Sequence, residues 1–134
     1  MRYLSVDLGD KRTGLAVGDD DPAMIHPLRV LDIPRGDALV AAVVAAAREH
    51  DADVIVVGLP LNMDGSEGPR AVLTRSFGDG LAAACDCQLD YQDERLTSAA
   101  AEELLSGSGL THGEKRRRRD ALAAAEILRD FLAR

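Results

Sequence analysis

Apolar residues in this chain fall into short blocks separated by charged or glycine-rich punctuation. Tyr3–Leu8 alternates weakly and then becomes continuous, and after GDKRTG a second apolar run, Leu15–Val17, ends in GDDDP. Two such runs around a polar turn predict a hairpin. His26–Ile33 reads as a third strand stopped by Pro34, and Asp37 opens a helix through ALVAAVVAAAREH to His50. Val54–Val57 is short, β-branched and unbroken, the pattern of a strand covered on both faces.

GLPLNMDGSEGP follows, too rich in Gly, Pro, Asn, Asp and Ser and too long to be a minimal connection, and so a candidate working loop. A second helix is predicted from about Arg70 to Cys85, weakened near Gly78 and Gly80, and a fifth strand over Gln88–Asp93. Thr97 or Ser98 can cap a third helix to about Leu105. Gly107–Gly113 reads as a linker, and the last helix, about Lys115 to Ala133, carries apolar positions at Leu122, Ala125, Leu128 and Leu132. The sum is an α/β chain: three antiparallel strands, then parallel crossovers, in a mixed five-stranded sheet flanked by helices.

At 134 residues and 46% hydrophobic content the chain is expected to form a single domain, 1–134, around one core. With 3% aromatics, packing must come from small helices pressed closely on a Val/Ile-rich sheet, and no aromatic platform for stacking bases is visible. No charged-then-apolar leader precedes the first strand and no apolar run could span a bilayer, so a cytoplasmic location with no membrane contact is expected. Cys85 and Cys87 are spaced poorly for a disulfide and lack the second ligand pair of a zinc site.

A net charge of −7 argues against a nucleic-acid partner until its distribution is considered. Within Glu114–Arg119, EKRRRR, Lys115, Arg116, Arg117, Arg118 and Arg119 stand against one acid, so a polyanion contact would be local. That run is either a solvated helix start or a phosphate-binding surface, and Lys11 and Arg12 add two cations just after the first strand.

Asp7 ends the first strand and Asp93-Glu94 ends the fifth; in a right-handed crossover arrangement these ends share one rim with the fourth strand. Asp120 follows the arginine run and lies on the side of the last helix's apolar stripe, facing inward. Each acid alone has an ordinary explanation, a turn former or a helix N-terminal acid. Together they have the oxygen-only composition that suits Mg2+ or Mn2+, and two such ions about 4 Å apart can drive phosphodiester hydrolysis without a Ser or Cys nucleophile. His26, His50 and His112 are scattered and receive no ligand role.

Four segments resemble the YqgF or RuvX type of Holliday junction resolvase in the RNase H-like superfamily: DLGDKRTGLAVGD at Asp7–Asp19, GLPLNMDGSEGPRA at Gly58–Ala71, DERLTS at Asp93–Ser98, and DALAAAEIL at Asp120–Leu128. The resemblance implies an RNase H-like fold and a metal-dependent endonuclease in which Asp7, Glu94 and Asp120 are the catalytic metal ligands. It implies that Asn62, Asp64, Ser66 and Arg70 lie in or beside a loop over the site. Arg95 and the basic run then join Lys11, Arg12, Asn62, Ser66 and Arg70 as nucleic-acid contacts. The implied substrates are branched DNA or the precursor of 16S ribosomal RNA, whose 5′ end the family is linked to maturing. Two positions depart from the family pattern: Arg119, usually apolar, and Asp10, usually a small hydroxyl and here a further candidate ligand beside Asp93.

Two rival readings remain at this level. DLG before a basic hairpin also resembles the start of actin-like kinases, but those duplicate the fold and this chain has one copy. A non-catalytic nucleic-acid- or ribosome-associated protein of the same fold would use the arginines and not the acids. Junction resolution would further require paired sites, hence a homodimer, for which the helix Asp37–His50 offers a candidate surface.

Overall fold

The computed structural model describes residues 1–94 and 112–134, with side chains in the last helix described from Arg119 onward. β1 (Arg2–Asp7) and β2 (Thr13–Asp19) form the predicted hairpin, with Arg2 opposite Asp19 and Asp7 opposite Gly14. β3 (His26–Leu31) pairs antiparallel beyond β2. The chain then crosses through α1 (Asp37–Glu49) to β4 (Val54–Leu59), parallel to β1, and through α2 (Pro69–Ala84) to β5 (Gln88–Asp93), parallel to β4. α3 (His112–Leu132) closes the described chain. The sheet order β3-β2-β1-β4-β5 is the mixed five-stranded arrangement expected from the pattern, with β1 at its centre.

Alternation along each strand sends side chains to two different cores. Leu4 and Val6 of β1 join Leu15, Ile55 and Val57 under α1 and α2, against Leu39, Val43, Phe77 and Leu81. Tyr3, Ala16, Val54 and Val56 face the other way, against Ala124, Ile127 and Leu128 of α3. Because β4 is buried along its whole length, its apolar run has no polar alternation to show.

α3 lies unusually close to the sheet, as the small-residue composition required. At Gly14 a side chain would collide with the backbone carbonyl of Asp120, so α3 rests directly on β2 at its third turn. Four buried alanines, Ala121, Ala123, Ala124 and Ala125, keep the helix near the strands, and the buried Ser5 hydroxyl of β1 donates to the Ala124 carbonyl at 2.5 Å. That bond ties the central strand to the helix that carries Asp120.

Some boundaries move, each for a tertiary reason. β3 stops at Leu31 rather than Ile33 because Leu31 pairs with Thr13, the first residue of β2, and no partner remains beyond it. β4 continues past Val57 because Gly58 and Leu59 find partners in Gln92 and Asp93 of β5. α2 runs unbroken through Gly78, where a side chain would strike the Tyr91 hydroxyl, so that glycine serves packing against β5 rather than weakening the helix. The last helix has already begun at His112, inside the segment that reads as a linker from sequence; the Glu, Lys and Arg residues that follow are good helix formers and carry it through Gly113. The expected helix from Thr97 or Ser98 to Leu105 lies outside the described residues. No helix among the described residues is long and apolar enough to cross a membrane.

Leu128 is fully buried between α3 and the sheet whereas Leu132 is only partly covered. Leu128→Ala is expected to cost about 2–5 kcal/mol of stability and Leu132→Ala clearly less, as measured by urea unfolding.

Candidate active site

Three neighbouring strands, β1, β4 and β5, end on one rim, and the acids stand there. Asp7 is the last residue of β1, and Glu94 follows β5 directly. The ladder between β4 and β5 extends one step past the strand end, where the Glu94 amide donates to the Leu59 carbonyl at 3.3 Å, so the backbone of Glu94 is held like a strand residue. Alternation places Asp7 and Glu94 on the α3 face, while Asp93 belongs to the opposite alternation. Strand parity thus brings Glu94, and not its neighbour Asp93, to the side of the sheet where Asp7 stands.

Gly58 is the reason the two acids can meet. It lies on β4 between them, and a Cβ there would stand 2.7 Å from Glu94 Oε2 and 2.5 Å from the Ile127 Cδ1 atom. With no side chain in the way, the Glu94 carboxyl lies over Gly58 and comes within hydrogen-bonding reach of Asp7. A glycine inside an otherwise β-branched strand is the sequence signal for such a close approach, and it received no role at that level.

Burial pushes both carboxyls up. Asp7 moves to about 6, chiefly by desolvation and further by the charge of Asp120, against the opposing hydrogen bond from Glu94 and the charge of Arg70. Glu94 moves to about 9 by desolvation first, then by the charge of Asp7 and the hydrogen bond it gives to Asp7. Burial and mutual repulsion thus favour a pair that keeps one proton between the two carboxyls rather than two full negative charges.

Asp120 comes from the other layer. It acts electrostatically on Asp7, and Arg12 Nε donates to its Oδ2 at 3.1 Å in a half-buried ion pair. The hairpin turn after β1 thus sends a cation back across the rim to the helix. Arg70, in the first turn of α2, is exposed and favours the ionised form of both Asp7 and Glu94. Asp10 is engaged by Arg35 at 3.2 Å and Arg70 at 3.5 Å.

Asn62 and Ser66 lie in the β4–α2 loop, as expected, and hold its shape. The Asn62 amide donates to the Ser66 carbonyl, the Asn62 side chain to the Ser66 hydroxyl, and Ser66 to the Asp64 carboxylate, around Gly65 with its positive φ. Lys11 is exposed in the β1–β2 turn and Arg119 is partly buried just ahead of Asp120. Arg95 and the side chains of Lys115, Arg116, Arg117 and Arg118 lie outside the described residues. His26 pairs with Val17, His50 ends α1, and Cys85 and Cys87 are free thiols between α2 and β5, all away from the acid rim.

The donors fit a hard divalent cation in kind, since two buried carboxyls that share a proton gain most from a positive charge between them. Among the described residues no three His, Cys, Asp or Glu side chains stand close enough to ligate one ion together. Asp7 and Glu94 are already in contact, and Asp120 is turned to Arg12.

The sequence profile of the family described as "RuvX: Holliday junction resolvase" matches residues 1–134. A relative from Anaeromyxobacter sp. (strain Fw109-5), named "Putative pre-16S rRNA nuclease", is 45% identical over 132 residues, covering 98% of this chain and 96% of its own. One of the same name from Chloroflexus aurantiacus is 37% identical, covering 96% of this chain and 84% of its own. Among solved structures, T. thermophilus RuvC in complex with a Holliday junction substrate superposes with a TM-score of 0.62 at 14% identity, covering 98% of this chain and 94% of that one. The RuvC-like architecture, and with it the RNase H-like fold, agrees with the topology expected from sequence.

Two measurements bear on this geometry. Both acids are raised above their ordinary values of 3.8 and 4.5, so the folded state holds a proton that the unfolded state has lost. The pair's contribution to stability is complete below about pH 4 and is lost as pH rises through about 6 and then about 9. In chelator, the wild-type melting temperature is expected to fall across that window relative to Glu94→Gln, whose amide cannot ionise. Gly58→Ala is expected to force Glu94 and Ile127 apart and to shrink the difference in pH dependence between the glycine protein and its Glu94→Gln variant.

Proposed function

The chain belongs to the RuvX family of Holliday junction resolvases and is a nuclease by that membership, and we propose that Asp7, Glu94 and Asp120 are its catalytic centre, acting on precursor 16S ribosomal RNA. The observation that carries this is the buried, proton-sharing contact between Asp7 and Glu94 at the ends of adjacent strands. Structural acids rarely bury against each other at a cost of several kcal/mol unless the site is built for a cation.

Asp7 and Glu94 would hold Mg2+ or Mn2+, with Asp120 completing the set. The bound metal supplies activation of water and stabilisation of the leaving oxygen. The protein's own residues do the rest. Glu94 gives up its proton when the pair becomes fully ionised, and Gly58 keeps its carboxyl within reach of Asp7. Asp120 joins them once Arg12 releases it, and that release frees a guanidinium on the rim for a substrate phosphate. Arg70 stands beside the pair, where its charge favours the ionised form of both acids. Lys11, Arg119 and the preceding basic run would extend the contact along the strand.

The choice of RNA follows the names of the relatives, which share well over a third of this chain's residues along nearly its whole length. In that role the protein works in the cytoplasm, where ribosomal RNA is processed. The family description favours a second reading, resolution of four-way DNA junctions. That reading adds a requirement for a two-fold homodimer, since two strands must be cut symmetrically.

The deciding assay compares cutting of a 5′-extended 16S RNA fragment, a synthetic four-way junction and plain duplex in Mg2+ or Mn2+. The RNA is expected to be cut and the duplex spared; cutting of the junction alone, by a sedimenting dimer, would establish the second reading. Asp7→Asn and Glu94→Gln are each expected to lower the rate at least about 100-fold, since even indirect partners of a metal can be worth that much. Equal cutting by both variants would refute the assigned centre. Calorimetry should also show proton release on Mn2+ binding near pH 7, because Glu94 enters the site protonated.

A further inference from the structure

Beside the acid rim, on the side of α1 and α2, three charged side chains from separate elements meet. Asp10 sits in the β1–β2 turn, Arg35 just ahead of α1 and Arg70 at the start of α2. Arg35 Nη1 donates to Asp10 Oδ1 at 3.2 Å, and Arg70 Nη1 lies 3.5 Å from Asp10 Oδ2. Two guanidiniums therefore grip the two oxygens of one carboxylate, above a small crevice walled by Leu8, Leu73 and Thr74.

Stability does not account for the arrangement. Asp10 and Arg70 are largely exposed, at 66% and 61%, and exposed pairs contribute about 0–1 kcal/mol. The chemistry accounts for it better. Two arginines converging on one small anion form a fork that also suits a phosphate, which offers more oxygens than a carboxylate and can accept from both at once. The net charge of the trio is positive in a chain whose overall charge is −7, so an approaching polyanion finds its attraction locally. The cluster is also continuous with the reaction centre, because Arg70 acts electrostatically on both Asp7 and Glu94. Arg12 lies across the rim on the α3 side. Cations thus flank the acid pair on two sides, as a strand crossing the rim would require.

We propose that Arg35 and Arg70 form a second phosphate station, which binds a backbone phosphate adjacent to the scissile one, and that Asp10 occupies this station until nucleic acid displaces it. The inference rests on the nuclease reading above but assigns Arg35 and Asp10 a role in binding rather than in cleavage. Asp10 is then an internal competitor, and its exposed position in a turn lets it swing away. An acid at this position has a consequence: weaker binding to incidental phosphates, offset when a long strand engages the whole rim.

The test uses a fluorescein-labelled single-stranded fragment of the 16S precursor, with affinity followed against KCl concentration. Arg35→Ala is expected to weaken binding about tenfold at low salt and to reduce the slope of log K against log [KCl] by about 0.7, the value of one single-strand phosphate contact. Arg29→Ala, on β3, removes the same charge from its pair with Glu49 of α1 and should leave the slope unchanged. Asp10→Asn is expected to tighten binding severalfold. Melting temperatures identify any variant that fails to fold, and Arg35→Gln then replaces Arg35→Ala in the same titration. A slope for Arg35→Ala equal to wild type, or weaker binding by Asp10→Asn, overturns the station while wild-type cutting still upholds the nuclease reading. A wild-type protein that neither binds nor cuts the fragment defeats both.

Discussion

Burying two carboxyl groups against each other is the constraint around which this protein is organised. Asp7 and Glu94 lose water at the ends of β1 and β5 and recover part of the loss by sharing a proton across Gly58. Everything that makes the contact possible is structural: a strand between the two acids without a side chain at one position, a ladder that carries β5's pairing one residue further, and a helix laid over both. Everything that makes it useful is electrostatic. A pair that is uncomfortable as two anions and settled as one is a pair that a divalent cation can take over, with release of a proton.

The helix α3 has two tasks that depend on its closeness to the sheet. It seals the core over Tyr3, Val54 and Val56, and it brings Asp120 to within electrostatic reach of Asp7. Gly14, Ser5 and the alanines from Ala121 to Ala125 set that distance. Larger residues at those positions would lift the helix and take the third acid away from the rim. The same low aromatic content that leaves the surface without stacking platforms therefore serves the geometry of the site.

Among the described residues, charge around the rim falls into opposed pairs. Arg12 is held by Asp120, and Arg35 and Arg70 are held by Asp10. Such pairs let an acidic protein keep cations where a polyanion is handled without a surface that would bind any phosphate it met. In the proposed reading nucleic acid competes for those arginines, and Asp120, once freed from Arg12, is the acid that would join the metal site.

Much of this was legible in the sequence because it depends on local pattern. The hairpin, the parallel crossovers and the placement of Asp7 at a strand end follow from alternation, helical spacing and turn residues. The inward position of Asp120 follows from its place beside the apolar stripe. What depends on partners distant in sequence was not legible. The end of β3 waited on where β2 ran out, the length of β4 on β5, and the role of Gly58 on a glutamate 36 residues later crossing over it. That Glu94 and not Asp93 shares a face with Asp7 needed strand parity fixed by pairing, and the capture of Asp10 by Arg35 and Arg70 needed three elements brought to one edge. Sequence alone determined which chemistry the chain carries, since residue type and local period are properties of a single segment. Only the tertiary structure decided which charges touch, since burial and distance are set jointly by segments that do not meet until the sheet has formed.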